Sequence, residues 1–162
     1  MRNRRLRVAE KRKRAVVDTV RSILDEKGYS VATVSPVTTV YDAIAEMARL
    51  GVGALPVLED RQLVGIVSER DYARKVILCG RSSRETVVGD IMTSSVITVS
   101  LDQTVDDCLR IVTESRIRHL PVLDGTELKG IISIGDLVKA IISAQSFTID
   151  QLHTYIATGY PS

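Results

Sequence analysis

The chain of 162 residues has no tryptophan, one phenylalanine and two cysteines, and each scarcity removes a class of protein. With large aromatics nearly absent, the core must be aliphatic, packed from the Val, Ile, Leu and Ala within an apolar share of 44%. Cys79 and Cys108 form no CxxC pair and stand at no metal-like spacing. That usage fits a reducing, cytoplasmic-type compartment. No apolar run approaches the roughly 20 residues that span a bilayer, so no membrane association is expected. The basic N-terminus is not followed by the apolar stretch of a secretory signal. A P-loop, a GxGxxG fingerprint and a GxSxG elbow are missing, which argues against the usual phosphate-handling and hydrolytic enzymes. The only histidines, His119 and His153, form no evident metal cluster.

Charge is scarce in net terms, at +2, but unevenly placed. Residues 1–14, MRNRRLRVAEKRKR, hold eight of the 22 basic residues and only Glu10 of the 20 acidic ones, so the arm carries +7. Such an arm either solvates a helix start or binds nucleic acid or another anionic surface. No aromatic residue is interleaved in it, so the nucleic-acid signal is weak.

What the sequence does contain is a repeat, the first thing to seek in any chain. Residues 31–77 align with 96–142 at a constant offset of 65 without a gap, and 17 of the 47 positions are identical. VATVS matches VITVS, Thr39-Val40 matches Thr104-Val105, LPVL recurs at 55–58 and 120–123, and GIVSERD returns as GIISIGD. Each copy reads as strand, helix, strand, strand, helix. Val40, Ala43, Ile44, Met47 and Ala48 recur at helical spacing, as do Val105, Cys108, Leu109 and Val112. ALPVL and LVGIV, parted by EDRQ, read as a hairpin, with DGTE doing the same service in the second copy. A unit of about 50 residues buries little surface alone, so the two copies should pack into a pseudo-twofold α/β domain. Flanking helices complete it: Val16, Val17, Val20, Ile23 and Leu24 form one apolar stripe before Gly28. Ile149, Leu152 and Ile156 form another before Gly159 and Pro161. The divisions are thus residues 1–30 (arm and first helix), 31–80 (first repeat), 81–95 (connector), 96–145 (second repeat) and 146–162 (C-terminal helix and tail).

The repeated G-x-x-S-x-x-D admits two readings. Serine at an N-cap with an acidic residue three places on is a capping arrangement, and an aspartate there suits the helix dipole. The same geometry presents free N–H groups, a hydroxyl for a phosphate and a carboxylate for a ribose diol. A glycine in the preceding strand would let a base approach the backbone.

In the order TVS…TV…LPVL…GIVSERD followed by TVS…TV…LPVL…GIISIGD, the span 31–142 resembles a tandem pair of CBS domains, a Bateman module. SERDYARKVILCGRSS, VGDIMT, RIRHLPV and YIATGY resemble the small stand-alone CBS-pair proteins of bacteria and plant mitochondria. The resemblance implies two tandem β-α-β-β-α CBS repeats in an α/β fold, flanked by N- and C-terminal helices. It implies a non-catalytic regulatory module that binds AMP, ADP, ATP or NAD(H), or S-adenosylmethionine, in two clefts that each draw on both repeats. The first cleft would use Ser68 and Asp71 with Thr98 and Val99 beside the base, and Arg118 and His119 reaching the phosphates. The second would use Ser133 and Asp136 with Thr33, Val34, Gly53 and Ala54. Arg118-His119 faces Gly53-Ala54 in the alignment, and Arg70 faces Gly135, so the first cleft is expected to be the principal site. A homodimer and a separate effector protein are the implied partners. A thioredoxin-type partner, or nucleic acid held by the basic arm, are the alternatives.

Overall fold

A computed structural model describes residues 18–158. The basic arm with Val16 and Val17, and the terminal Gly159 and Pro161, lie outside the described residues. Helix α1 (Val20–Lys27) comes first, and α2 (Val40–Leu50) opens the first repeat. Strands β1 (Ala54–Glu59) and β2 (Gln62–Ser68) follow, then the short α3 (Glu69–Tyr72), continued by a π-helical turn over Ala73–Ile77. A 3-10 turn over Val88–Asp90 lies in the connector. The second repeat supplies α4 (Val105–Ser115), β3 (His119–Asp124), β4 (Glu127–Ser133) and α5 (Ile134–Thr158).

The two hairpins are copies in detail. Leu55 pairs with Val67 and Leu120 with Ile132, and both registers slip at the same place, between Val57 and Leu58 and between Val122 and Leu123. Asp60 and Arg61, at φ 50° and 63°, form the two-residue turn whose twist suits a hairpin. The threonines ahead of α2 and α4 explain where those helices begin: Thr39 and Thr104 accept the amide N–H of Asp42 and Asp107 at 3.1 Å. Each helix then buries one stripe, Val40, Ala43 and Met47 in α2 and Val105, Cys108 and Val112 in α4.

Two expectations need revision, and one arrangement was not foreseen. VATV and VITV do not form full strands; each makes one parallel bridge, Val34 to Val57 and Val99 to Val122, at the bulge of its hairpin. Turns closed by Thr38 N–H to the Ser35 carbonyl (3.1 Å) and Gln103 N–H to the Ser100 carbonyl (3.3 Å) then lead the chain away. The C-terminal helix is not separate: α5 runs unbroken across residues 145 and 146, because neither glycine nor proline occurs between Gly135 and Gly159. Finally, the segments before each repeat are exchanged. Val20, Ile23 and Leu24 of α1 pack with Val99, Leu120, Val122 and Ile132 of the second repeat. Val88 and Ile91 of the connector pack with Val57, Val67 and Val76 of the first. Each repeat is closed by the element that precedes the other.

Candidate functional site

The repeated serine and aspartate do cap helices. Ser68 Oγ accepts the Asp71 N–H at 3.2 Å, while Asp71 Oδ2 accepts the Ser68 N–H at 2.9 Å and its hydroxyl at 3.0 Å. Ser133 and Asp136 repeat the arrangement at 2.8 and 3.2 Å. The two carboxylates differ in the cation they meet. Asp71 Oδ1 faces Lys75 of its own helical turn at 3.1 Å. Asp136 Oδ2 accepts from Lys27 of α1 at 2.7 Å, and the same ammonium donates to the Ile131 carbonyl at 2.9 Å. Burial alone would raise the Asp136 carboxyl, but the bond and charge of Lys27 and the bonds from Ser133 pull it below the usual carboxylate range.

The glycines three residues upstream of the capping serines serve the protein's own packing. A Cβ on Gly65 would collide with Met92 Sδ, lie 2.9 Å from Met92 Cγ and lie 3.1 Å from the Thr93 carbonyl. A Cβ on Gly130 would lie 2.9 and 3.0 Å from the two methyls of Leu24. Both glycines therefore admit the exchanged closing segment, the connector in one repeat and α1 in the other. The close approach expected of a base is made by the chain itself.

A cavity of about 290 Å3 opens between the repeats. Its walls include Ser68, Arg70 and Asp71 from the first repeat and Arg118 and His119 from the second, five of the seven residues expected in the first cleft. Thr98 and Val99 are not on the wall; Val99 is buried in the second core, and Thr93, Ser95, Val96 and Ile97 line the cavity instead. Gly53 and Ala54, expected in the second cleft, line this same cavity, Gly53 lying against the His119 ring. Val34 packs on the first core and Thr33 is exposed. Asp136 borders a shallower recess of about 120 Å3 shared with Lys27 and Lys139. The structure thus gathers the first set largely as a group and disperses the second.

Residue-by-residue reading missed Arg116. It ends α4 at φ 54°, ψ 40°, in the left-handed region, and it lines the cavity. Its counterpart at the repeat offset is Gly51, which ends α2 at φ 67°. Arginine in that conformation costs about 1 kcal/mol relative to glycine. Arg70 Nη1 donates to the Arg116 carbonyl at 3.4 Å, joining the two repeats across the cavity. Only comparison of the copies, a bulky residue where its twin uses a C-cap glycine, could have flagged it. His119 is held below its ordinary range by burial and by the positive charge of Lys27 and Arg118, Asp136 opposing them. At neutral pH it is an uncharged hydrogen-bonding group beside charged arginines. Ile66, Ile97 and Ile117 add an apolar wall, so the cavity pairs a surface for a flat ring with hydroxyl, carboxylate and guanidinium groups.

The chain belongs to the CBS domain family, which matches residues 20–77 and 88–143 as two domains. The resemblance drawn from the repeated motifs is borne out, as is the α/β fold of paired repeats. CBSX3, a mitochondrial CBS domain-containing protein of Arabidopsis thaliana, is 44% identical over 127 residues, covering 75% of this chain and 62% of that protein. The Bacillus subtilis (strain 168) CBS domain-containing protein YhcV is 33% identical, covering 77% of this chain and 89% of its own length. The chain therefore spans less than two thirds of CBSX3 but most of YhcV. Among solved structures, a putative signal-transduction protein with CBS domains from Burkholderia ambifaria MC40-6 superimposes with a TM-score of 0.76 at 52% identity, covering 78% of this chain and 96% of that one. CBSX2 in complex with AMP superimposes with a TM-score of 0.61 at 32% identity, covering 71% of this chain and 90% of that one.

Proposed function

We propose that the chain is a non-catalytic regulatory module that senses an adenosine nucleotide, AMP, ADP, ATP or NAD(H), in the cavity between its CBS repeats. The observation that carries this reading is the convergence of Ser68, Arg70 and Asp71 with Arg118 and His119 on one cavity. The AMP complex of CBSX2 supports an adenosine ligand for this chain too. Asp71 would take the ribose diol once Lys75, which also donates to the Ile91 carbonyl at 2.8 Å, releases it. The apolar wall would receive the base.

A ligand shifts a conformational equilibrium only by its differential affinity for the two states, so its occupancy must move something. The Ile134 N–H, the first of α5, donates to the Arg118 carbonyl at 2.9 Å, which ties the cavity wall to the longest helix. That helix exposes Val138, Ile142, Ile149, Leu152 and Ile156, at successive spacings of four, seven, three and four residues. That stripe supports a homodimer, whose state a separate effector protein would read. Both cysteines are free thiols, in keeping with a reducing, cytoplasmic-type setting.

The test is a thermal-shift panel of AMP, ADP, ATP, NAD+, NADH and S-adenosylmethionine on nucleotide-free protein, beside Asp71→Ala and Asp136→Ala. Ligand at 100 times its Kd adds about 2.7 kcal/mol, which for a chain of this size is about 5–10 °C. The expected shift is lost in Asp71→Ala and kept in Asp136→Ala. No shift with any adenosine ligand would end the sensing reading.

A further inference from the structure

The exchanged segments meet their repeats bond for bond. In the first repeat, the Val88 and Gly89 N–H groups donate to the Thr38 and Pro36 carbonyls, and Val40 N–H donates to the Thr86 carbonyl, all at 2.8 Å. In the second, the Val20 and Arg21 N–H groups donate to the Gln103 and Leu101 carbonyls at 2.9 Å, and Val105 N–H donates to the Asp18 carbonyl at 2.8 Å. The bridges Thr39–Val87 and Thr19–Thr104 complete the match. The repeats are related by an offset of 65, but their closing segments by 68: Val88 answers Val20, and Met92 against Gly65 answers Leu24 against Gly130.

The first repeat carries the match one bond further. Tyr41 N–H donates to the Ser83 carbonyl at 2.9 Å, and the Arg84 guanidinium lies 3.8 Å over the Tyr41 ring. In the second repeat Asp106 stands in the place of Tyr41. The first N–H groups of a helix have no partner within it and must find one outside. Val105 N–H has Asp18 and Asp107 N–H has the Thr104 hydroxyl, but Asp106 N–H meets no acceptor among the described residues.

Beside Asp106 runs a groove of about 500 Å3 between α4 and α5. Val105, Ile141, Ala144 and Ile149 make it apolar, and its charged lining among the described residues is Asp18 and Asp106. Neither carboxylate takes part in the ion pairs of the described residues. In the first repeat the chain leaves its last helical turn at Ile77 and comes back over α2 as Ser83–Thr86. In the second, α5 runs on to Thr158, so the second repeat has no returning segment of its own. The chain that reaches this groove is the one ahead of Asp18: Ala15, Val16 and Val17, preceded by the four cations of residues 11–14.

We propose that the groove between α4 and α5 is the docking site of this chain's own residues 15–17. At the offset of 68, the Ala15 carbonyl takes the place of the Ser83 carbonyl and accepts the Asp106 N–H. Val16 takes the place of Arg84. The exchange of side chains is matched on both sides, arginine over a tyrosine ring in one repeat and valine over Ile141 and Ala144 in the other. Residues 11–14 then stand against Asp18 and Asp106, where opposite charge favours them. The basic arm is thereby anchored at the border of the exposed α5 stripe, with which the groove shares Ile149.

The experiment is NMR on the full chain, reading amide hydrogen exchange and methyl NOEs, with Tyr41 as the internal reference. The Asp106 amide should exchange about as slowly as that of Tyr41, at least about tenfold slower than a free amide. The Val16 methyls should show NOEs to those of Ile141 and Ala144. Val16→Asp adds a third carboxylate to the groove and should speed Asp106 exchange by at least about tenfold while leaving Tyr41 unchanged; circular dichroism checks that it folds. A free-amide rate at Asp106 beside a protected Tyr41, or an Asp106 amide that stays protected in Val16→Asp, overturns the docking. In a mixture of labelled and unlabelled chains, NOEs that put α5 of a second copy against Ala144 in place of Val16 give the groove to a dimer and overturn it too.

Discussion

Alanine at Gly65 and at Gly130 separates two explanations of the repeated signature, room for a ligand and room for the protein. At Gly130 the added methyl would lie 2.9 and 3.0 Å from the two methyls of Leu24, which is 1% exposed and enclosed by the second core. Nothing there can move aside, and overpacking of this kind costs about 2–3 kcal/mol, the upper part of the usual range. At Gly65 the methyl meets Met92, a flexible and only half-buried side chain, but also the Thr93 carbonyl at 3.1 Å. That carbonyl accepts the Ile66 N–H at 3.0 Å, and Thr93 N–H returns a bond of 2.9 Å, so retreat would break a bridge. A cost of about 1–2 kcal/mol is reasonable. Alanine recovers about 0.5–1 kcal/mol of the backbone freedom that glycine loses in a strand. The net expectation is about 2 kcal/mol for Gly130→Ala and about 1 kcal/mol for Gly65→Ala, or melting temperatures lower by about 4–8 °C and 2–4 °C. Calorimetry of the nucleotide-free protein measures both. Pairing Gly65→Ala with Met92→Ala should give a double mutant less damaged than the sum of the singles. A Gly65→Ala protein that melts like the wild type yet no longer binds any nucleotide would refute the packing argument and restore the glycine to the ligand.

Two further perturbations read other parts of the fold. Lys27→Met should lower stability by about 1 kcal/mol at pH 7, since its pair with Asp136 is partly solvated. Because the folded Asp136 carboxyl lies below its unfolded value, this contribution is present above about pH 4 and is lost as pH falls through the folded pKa; wild-type and variant denaturation curves should therefore converge in acid, and a gap that persists there would be inconsistent with the ion pair. With Ellman's reagent, the exposed Cys79 should react in the native protein while Cys108, buried and pushed up to about 11, reacts only on unfolding; two fast thiols would mean that the second core opens readily.

The parts of this fold that were legible in the sequence are those set by local chemistry. The hairpins show in LPVL, a polar pair and LVGIV; the helix starts show in Thr39 and Thr104; the pairing of repeats shows in the offset itself. The exchange of closing segments was not legible. An apolar stripe such as Val20, Ile23 and Leu24 states that a face is covered but not by what, and its neighbours in space are about 80 to 110 residues away in sequence. The continuity of α5 was visible in the missing glycine and proline, but the repeat boundary drew attention to residue 145 instead. Arg70, Arg118 and His119 could be singled out because they interrupt the likeness between copies. Arg116 does so as well, but its meaning depends on a backbone angle that no residue name reveals. The expectation of an adenosine ligand came from family resemblance rather than from the residues alone.

The identity between the copies and the difference between them serve separate ends. Val34 and Val99 make the bridges, Thr39 and Thr104 the caps, Gly65 and Gly130 the close packing, and Ser68–Asp71 and Ser133–Asp136 the helix starts. Each of these repeated positions is accounted for by a structural task carried out twice. The signature is therefore punctuation in both repeats, and capping by itself does not make either one a binding site. What distinguishes them is what was not kept. A ligand entering beside Asp136 would have to displace Lys27 from the carboxylate and from the Ile131 carbonyl, at a cost of about 1 kcal/mol, and would find no guanidinium there in exchange. Beside Asp71 it would likewise displace Lys75, from the carboxylate and from the Ile91 carbonyl, but Arg70, Arg116 and Arg118 line the cavity there. Discounted for solvent to about 1 kcal/mol each, the three would favour an anionic ligand there by about 3 kcal/mol, roughly a hundredfold. Duplication supplied two equivalent frames, and arginine at three positions in place of glycine is what sets the first apart from the second.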